Sequence, residues 1–253
     1  MMMDLDAIAG TARGGTLYGI GVGPGDVSYL TLRAAALVRQ VDVIAFFAKR
    51  GLQGNARGIV DPLMGAHRDE LRLEYPVTNE IPPEDPSYRQ QISRFYEDSA
   101  EALSVLLRQG KSVGLLAEGD PFFYGSFMHI WRRLDQVFPI EVVPGVTGMS
   151  GCWTRANAPI TWGDDILSVL PGTMGEAQLT RRLADTDAAV IMKVGNNLAK
   201  VRRAVTAAGL LSRAIYVERG SMKGERIMPL SEGPEAGSPY FSMVLIPGQG
   251  RRL

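Results

Sequence analysis

The chain has 253 residues, 45% hydrophobic and 21% charged, and its 27 basic side chains balance its 27 acidic ones. A protein that works by neutralising nucleic-acid phosphates carries a basic surplus, so this balance argues against nucleic acid as partner while leaving room for a local site for an anionic small molecule. The sole cysteine, Cys152, rules out an internal disulfide and fits a reducing cytoplasm, and no apolar run approaches the roughly 20 residues of a membrane span.

The opening MMMDLDAIAGTARGG lacks the basic start and long apolar core of a signal peptide, so residues 1–15 read as a tail and the fold starts at Thr16. TLYGIGV (16–22) predicts a strand, and LTLRAAALV, rich in helix formers, predicts a helix from about Ser28 to Arg39. VDVIAFF (41–47) is a continuous apolar run of the kind a strand covered on both faces needs. A loop rich in Gly, Asn and Pro follows, then a long helix from near Tyr88 to Arg108, stopped by Gly110. KSVGLLAEG supplies a third strand, SFMHIWRRLD a helix and PIEVVPG a fourth strand.

In the second half ILSVLPG, AAVIMKVG, AIYVERG and YFSMVLIPG read as strands, with helices around 176–184 and 197–208 linking the first three. SEGPEAGSP (231–239) is a turn-rich loop, which leaves the last strand able to pair antiparallel. Strand–helix alternation in both halves predicts an α/β architecture with mostly parallel sheets. PGVTG sets a boundary near Pro144, giving α/β domains over 16–143 and 144–253 and a cleft of the sort ligands favour.

LYGIGVGPGD (17–26) is the first candidate site. The dinucleotide pattern G-x-G-x-x-G fails there, because its third glycine falls on Pro24 or on Asp26. The acid-x-G-x-G-x-G loop common in methyltransferases needs a carboxylate where Gly19 stands. Gly110-Lys111-Ser112 imitates the end of a Walker loop, but Val105 holds the first glycine position and the tripeptide precedes a strand. What Gly-Pro-Gly-Asp does carry is a stiffened turn at Pro24, unusual dihedrals at Gly25 and a helix cap at Asp26.

EGDPFFYGSF (118–127) follows the strand VGLLA directly, at a carboxyl end where open α/β sheets bind ligands. Asp120 offers a carboxylate to a ribose or an ammonium group, and Phe123 and Tyr124 offer faces to a ring or a sulfonium. Taken singly, each aromatic is more often core than ligand contact.

GIGVGPGDVSYLTLRA, VDVIAF, EGDPFFYG, VVPGVTG, MKVG and VERG, in this order and spacing from Thr16 to Ile246, make the chain resemble the tetrapyrrole methylases, the class III S-adenosylmethionine-dependent methyltransferases. GTLYGIGVGPGD, EGDPFFYGSF and ERIMPL…PYFSMVLI are most similar to the branch acting on precorrin-2 in cobalamin biosynthesis. The uroporphyrinogen methylases carry Gly-Gly-Asp-Pro and an acid at the end of the second strand, whereas here that strand ends in Phe46-Phe47.

The resemblance implies two α/β domains meeting at a trough, a homodimer, and S-adenosylmethionine folded between the domains. Carried over by motif, it places Pro24, Gly119, Asp120, Phe123, Tyr124, Thr147, Gly148, Met192, Val194 and Gly220 at the cofactor. An anionic tetrapyrrole, precorrin-2, calls for a cluster of cations, and Lys49, Arg50, Arg57, Arg155, Arg219 and Lys223 are the candidates as a group. The implied reaction is methyl transfer to the C20 meso carbon. Its proton acceptor is water, a ring nitrogen or a side chain, with Glu118 and Tyr124 the nearest by name.

His129, among Phe127, Ile130 and Trp131, reads as structural, and loop residue His67 reads the same way. No His/Cys cluster has metal-ligand spacing, so no metal site is expected. Rival readings are the cobalt-containing substrate, a noncatalytic tetrapyrrole-binding module, and a dinucleotide oxidoreductase, the last weakened by the failed glycine fingerprint.

Overall fold

A computed structural model describes residues 10–65, 69–76 and 85–250. Two five-stranded sheets carry the fold, one in each of two units that divide after Thr147.

In the first unit β1 (Leu17–Gly21), β2 (Val43–Lys49), β3 (Asp69–Tyr75), β4 (Val113–Ala117) and β5 (Ile140–Val143) lie in the order β3-β2-β4-β1-β5. Every pairing is parallel. Alternate side chains along each strand point to opposite faces. Leu17, Val43, Ala45 and Leu115 therefore pack with α3 (Pro86–Arg108) and α4 (Phe127–Leu134), through Phe95, Leu103, Phe127 and Ile130. Tyr18, Ile20, Ile44 and Phe46 pack on the other face with α1 (Leu32–Gln40) and α2 (Asn55–Val60), through Leu37, Val38, Ile59 and Val60. Cover on both faces is what makes β1, β2 and β4 unbroken apolar runs.

This wiring fixes where a ligand can be met. The loop leaving β1 leads to α1 on one face, and the loop leaving its neighbour β4 leads to α4 on the other. Neighbouring strands whose loops part to opposite layers leave a crevice at their carboxyl ends, the switch point of an open parallel sheet.

The segment after β2, expected to be a loop, contains α2 and the edge strand β3. Leu71, Leu73 and Tyr75 pack inward with the α3 side, while Asp69, Glu70 and Glu74 are exposed. An edge strand needs apolar residues on one face only, and its charges discourage pairing with another chain. The Walker-like tripeptide has a local structural role: the Ser112 amide and hydroxyl donate to Asp42 at 2.8 and 2.7 Å, tying the start of β4 to β2.

In the second unit α5 (Gly148–Arg155) comes first. There follow β6 (Leu167–Pro171), α6 (Glu176–Ala184), β7 (Ala188–Met192), α7 (Leu198–Ala207), β8 (Ile215–Glu218), β9 (Arg226–Pro229) and β10 (Ser242–Ile246). The order is β6-β7-β10-β8-β9. The last strand is antiparallel to both β7 and β8, as its turn-rich approach allowed, and β8 and β9 form an antiparallel hairpin. Only β6–β7 is parallel among the described strands of this sheet, so it is mixed and not mostly parallel. Leu179 and Leu183 of α6 and Leu198, Val201 and Val205 of α7 cover one face. Cys152, Met149 and Trp153 of α5 cover the other.

Candidate functional site

The glycines in and after β1 have different tasks. A Cβ on Gly19 would stand 2.3 Å from the Phe127 ring, so this glycine makes room for a core aromatic. On Gly21 it would stand 2.6 Å from the Gly145 amide nitrogen and 2.8 Å from the Gly119 carbonyl oxygen. The loops leaving β1, β4 and β5 thus touch backbone to backbone at the switch point. Gly23, at φ +76°, and Gly119, at φ +66°, form an isolated bridge in which the Gly119 amide donates to the Gly23 carbonyl at 2.8 Å. Only glycine accepts such dihedrals without strain. Gly25 has φ +149°, and Asp26 caps the short turn Val27–Tyr29 by accepting from the Ser28 amide at 2.8 Å. Pro24 is buried between these anchors.

Asp120 ties two of these loops together. One carboxylate oxygen accepts from the Phe122 amide at 2.9 Å, the other from the Gly145 amide at 3.1 Å. Phe123 is half-buried and meets Tyr124 edge to face at 4.9 Å. Tyr124 is 44% exposed and holds φ +55°, a left-handed conformation rare for a bulky residue. Strain of this kind persists where the surroundings enforce it and gathers at ligand-binding loops.

Glu118 reaches solvent yet stands deep enough that loss of surrounding water pushes its carboxyl above the ordinary carboxylate range. The Asn55 side chain and the Ala56 amide donate to it and pull the other way. Beyond the loop, the Ser126 hydroxyl joins two phenols, lying 2.5 Å from the Tyr75 oxygen and accepting from Tyr96 at 3.0 Å. Phe47 of β2 stacks on Tyr75 at 5.6 Å and so adjoins an aromatic and hydroxyl cluster, while Phe46 packs on the other face of the sheet. No sequence pattern had joined Tyr75, Tyr96 and Ser126, because they lie on three separate elements. His129 stacks on the Tyr96 ring at 4.2 Å, a packing role, and its pKa is lowered by burial and by Arg133 and Arg132. His67 lies outside the described residues.

In the second unit MKVG and VERG span the ends of β7 and β8, which are both antiparallel to β10 and so end at the same edge of the sheet. Two strand spacings, about 10 Å, separate them. Both bends are strained, with left-handed φ at Lys193 (55°), Arg219 (52°) and Ser221 (65°). Met192 is half-buried, whereas Val194 is fully enclosed in the core. Gly220 is buried against Cys152. Thr147 and Gly148, where α5 begins, are half-buried.

The candidate cations divide into two kinds. Lys49 and Arg50 at the end of β2, with Arg219 and Lys223 in the β8–β9 turn, are exposed. Arg57 is held at 2.7 Å by both Asp61 and Glu70, and Arg155 pairs with Glu225 at 2.8–3.0 Å. These two guanidinium groups already serve carboxylates of the protein.

Residues 16–233 match the family described as Tetrapyrrole (Corrin/Porphyrin) Methylases. A precorrin-2 C(20)-methyltransferase of Sinorhizobium sp is 55% identical over 234 residues, covering 92% of this chain and 96% of that protein. A cobalt-precorrin-2 C(20)-methyltransferase of Salmonella typhimurium is 28% identical over 237 residues, with 92% and 96% covered. Among solved structures, a uroporphyrin-III C-methyl transferase from Thermus thermophilus complexed with S-adenosyl homocysteine matches with TM-score 0.62 at 21% identity, over 94% of this chain and 99% of that one. That last likeness is one of fold.

Proposed function

We propose that this chain, which belongs to the tetrapyrrole (corrin/porphyrin) methylases, transfers a methyl group to the C20 meso carbon of precorrin-2, giving precorrin-3A in cobalamin biosynthesis. The observation that carries the reading is the 55% identity, over nearly the full length of both proteins, to the Sinorhizobium enzyme named for that reaction. The 28% identity to the cobalt-precorrin-2 enzyme favours the cobalt-free ring over the cobalt-bound one.

S-adenosylmethionine supplies a sulfonium methyl that is already electrophilic. The meso carbon of a reduced tetrapyrrole is electron-rich, like an enamine carbon, so the protein contributes mainly by aligning the two. A carbon–methyl bond forms at C20 as the sulfur–methyl bond breaks, and the C20 proton then leaves.

The residues present fit such a cofactor. At the switch point the backbones of Gly21, Gly119 and Gly145 leave no space for side chains, and the loop beyond them turns Tyr124 outward in a strained conformation. In the first unit Pro24, Gly119, Asp120, Phe123 and Tyr124 would hold it, Asp120 through the loop shape that its two amide contacts set. Assignment of Thr147, Gly148, Met192, Val194 and Gly220 to the same cofactor rests on the motif resemblance, supported for the last three by the strained bends at Lys193, Arg219 and Ser221. Lys49, Arg50, Arg219 and Lys223 are the cations offered to the substrate carboxylates. Glu118 is the side chain offered as proton acceptor, since a carboxyl pushed above its usual range is a better base for the task. A cytoplasmic homodimer completes the proposal on resemblance and composition.

The test is mass spectrometry of precorrin-2 incubated anaerobically with the protein and S-adenosylmethionine, followed by carbon-13 NMR of the product. One added methyl at C20 is expected. A methyl elsewhere overturns the position. No transfer to precorrin-2 or to cobalt-precorrin-2 overturns the enzyme and leaves a tetrapyrrole-binding module.

A further inference from the structure

The loop joining β8 to β9 begins immediately after the Glu218–Arg226 register pair and contains VERG's last two residues. Three of its residues are left-handed: Arg219, Ser221 and Gly224, with φ of 52°, 65° and 82°. Glycine takes that conformation freely, but arginine and serine must be held in it. The loop's own bonds are modest, with Met222 N donating to the Arg219 carbonyl at 2.9 Å and Glu225 N to the Met222 carbonyl at 3.2 Å.

Stronger ties come from the Glu225 side chain and from outside the loop. The Arg219 amide donates to the Phe241 carbonyl at 2.7 Å. The Glu225 carboxylate accepts from the left-handed Ser221 amide at 2.7 Å and, through both oxygens, from Nε and Nη2 of Arg155 on α5 at 2.8–3.0 Å. One helical turn earlier on α5 stands Cys152, whose sulfur would be 2.8 Å from a Cβ on Gly220. The same face of α5 thus seats Gly220 and braces Ser221. Bracing leaves one polar atom over, because the Ser221 hydroxyl oxygen is buried without a hydrogen-bond partner among the described residues. A buried hydroxyl in that condition is costly unless a ligand or water completes it.

We infer that the Arg155–Glu225 pair clamps the β8–β9 loop in its cofactor-binding shape, which makes Arg155 a positioning residue for S-adenosylmethionine and not a ligand of the tetrapyrrole carboxylates. The inference rests on the proposed placement of Gly220 at the cofactor. Arg155 acts through Glu225, and Glu225 through the Ser221 amide, so the two side chains form a single device. The ion pair holds the Glu225 carboxyl below the usual carboxylate range, as a committed partner requires. Lysine cannot take over, because the contact uses a planar fork that presents two nitrogens to one carboxylate.

The test measures S-adenosylhomocysteine affinity by calorimetry and precorrin-2 KM and kcat separately, for Arg155→Met, Arg155→Lys, Glu225→Ala and the Met/Ala double variant. Both single losses are expected to weaken S-adenosylhomocysteine about tenfold, the equivalent of releasing one strained residue, with precorrin-2 KM changed less than about twofold. Arg155→Lys should resemble Arg155→Met. The double variant should be no worse than the poorer single, because the residues act as a unit. The clamp is overturned if Arg155→Met binds S-adenosylhomocysteine like the wild type, or if its defect lies in precorrin-2 KM. Should Arg155→Met fail to fold, Glu225→Ala poses the same question from the loop side. Failure of the wild type itself to bind S-adenosylhomocysteine would instead overturn the cofactor placement.

Discussion

The backbones of Gly119 and Gly145 approach so closely that a methyl group on Gly145 would stand 1.9 Å from the Gly119 carbonyl oxygen. Gly145 does not need glycine for its dihedrals, since its φ is not positive. What it needs is the absence of a side chain where the ends of β4 and β5 are joined by the Asp120 bond to its amide. Backbone cannot rotate out of the way as a side chain can. Gly145→Ala is therefore expected to cost about 3 kcal/mol, the upper part of the overpacking range, and to lower Tm by roughly 6–12 °C. Differential scanning calorimetry checks it, and an unchanged Tm would mean the loops are not in contact.

Gly19 makes the contrasting case, because its neighbour is a side chain. A Cβ there would meet the Phe127 ring at 2.3 Å. Gly19→Ala should cost about 2 kcal/mol by overpacking. Combining it with Phe127→Leu, which withdraws the ring, should recover part of that loss. If the double variant is as unstable as the sum of the singles, Phe127 is not the atom set that Gly19 accommodates.

The same pair shows what could be read in the sequence. β1, β2 and β4 were legible because both faces of each are buried, which writes the strand as an unbroken apolar run. β3 was hidden in a segment rich in charge, because an edge strand displays Leu71, Leu73 and Tyr75 on one side and Glu70, Arg72 and Glu74 on the other. α5 opens on Gly148, a poor helix former, and draws its place from packing over the sheet through Cys152 and Trp153. GPGD and EGDPFFYG were visible as turns from local chemistry alone. Which glycine faces what was not, since the atoms opposing Gly19 and Gly21 come from distant parts of the chain. The same limit applies to the cations. Arg57 has one partner at i+4, but nothing local announces that Glu225 waits for Arg155.

Asp120 was read as a cofactor ligand, and its carboxylate is already shared between the Phe122 and Gly145 amides. Removing it leaves two amides without their acceptor, so Asp120→Ala should lower stability by about 1–3 kcal/mol as well as weaken S-adenosylhomocysteine. Asp120→Asn keeps a single oxygen acceptor and can satisfy only one of the amides. It should fall between wild type and alanine in both Tm and affinity. A variant that loses affinity with unaltered Tm would place the carboxylate on the ligand and away from the loops.

Glu118 gives the pH dependence. Loss of surrounding water raises its carboxyl pKa above the unfolded value, with the Asn55 and Ala56 hydrogen bonds opposing. A group that binds its proton more tightly folded than unfolded favours the fold at low pH, and that contribution is lost as pH rises through the folded pKa. Above the unfolded pKa the carboxyl thus costs stability, and Glu118→Gln removes that cost while keeping an oxygen to accept a hydrogen bond. The variant should melt above the wild type near pH 8, with the gap closing toward pH 4, where the wild-type carboxyl is protonated. A gap that stays constant across that range would mean the carboxyl is not perturbed. The same substitution tests the chemistry, because glutamine cannot take a proton. If Glu118 accepts the C20 proton, kcat should fall by about 10²–10⁴ with precorrin-2 KM little changed. If water or a ring nitrogen does so, kcat will hold while the melting difference remains.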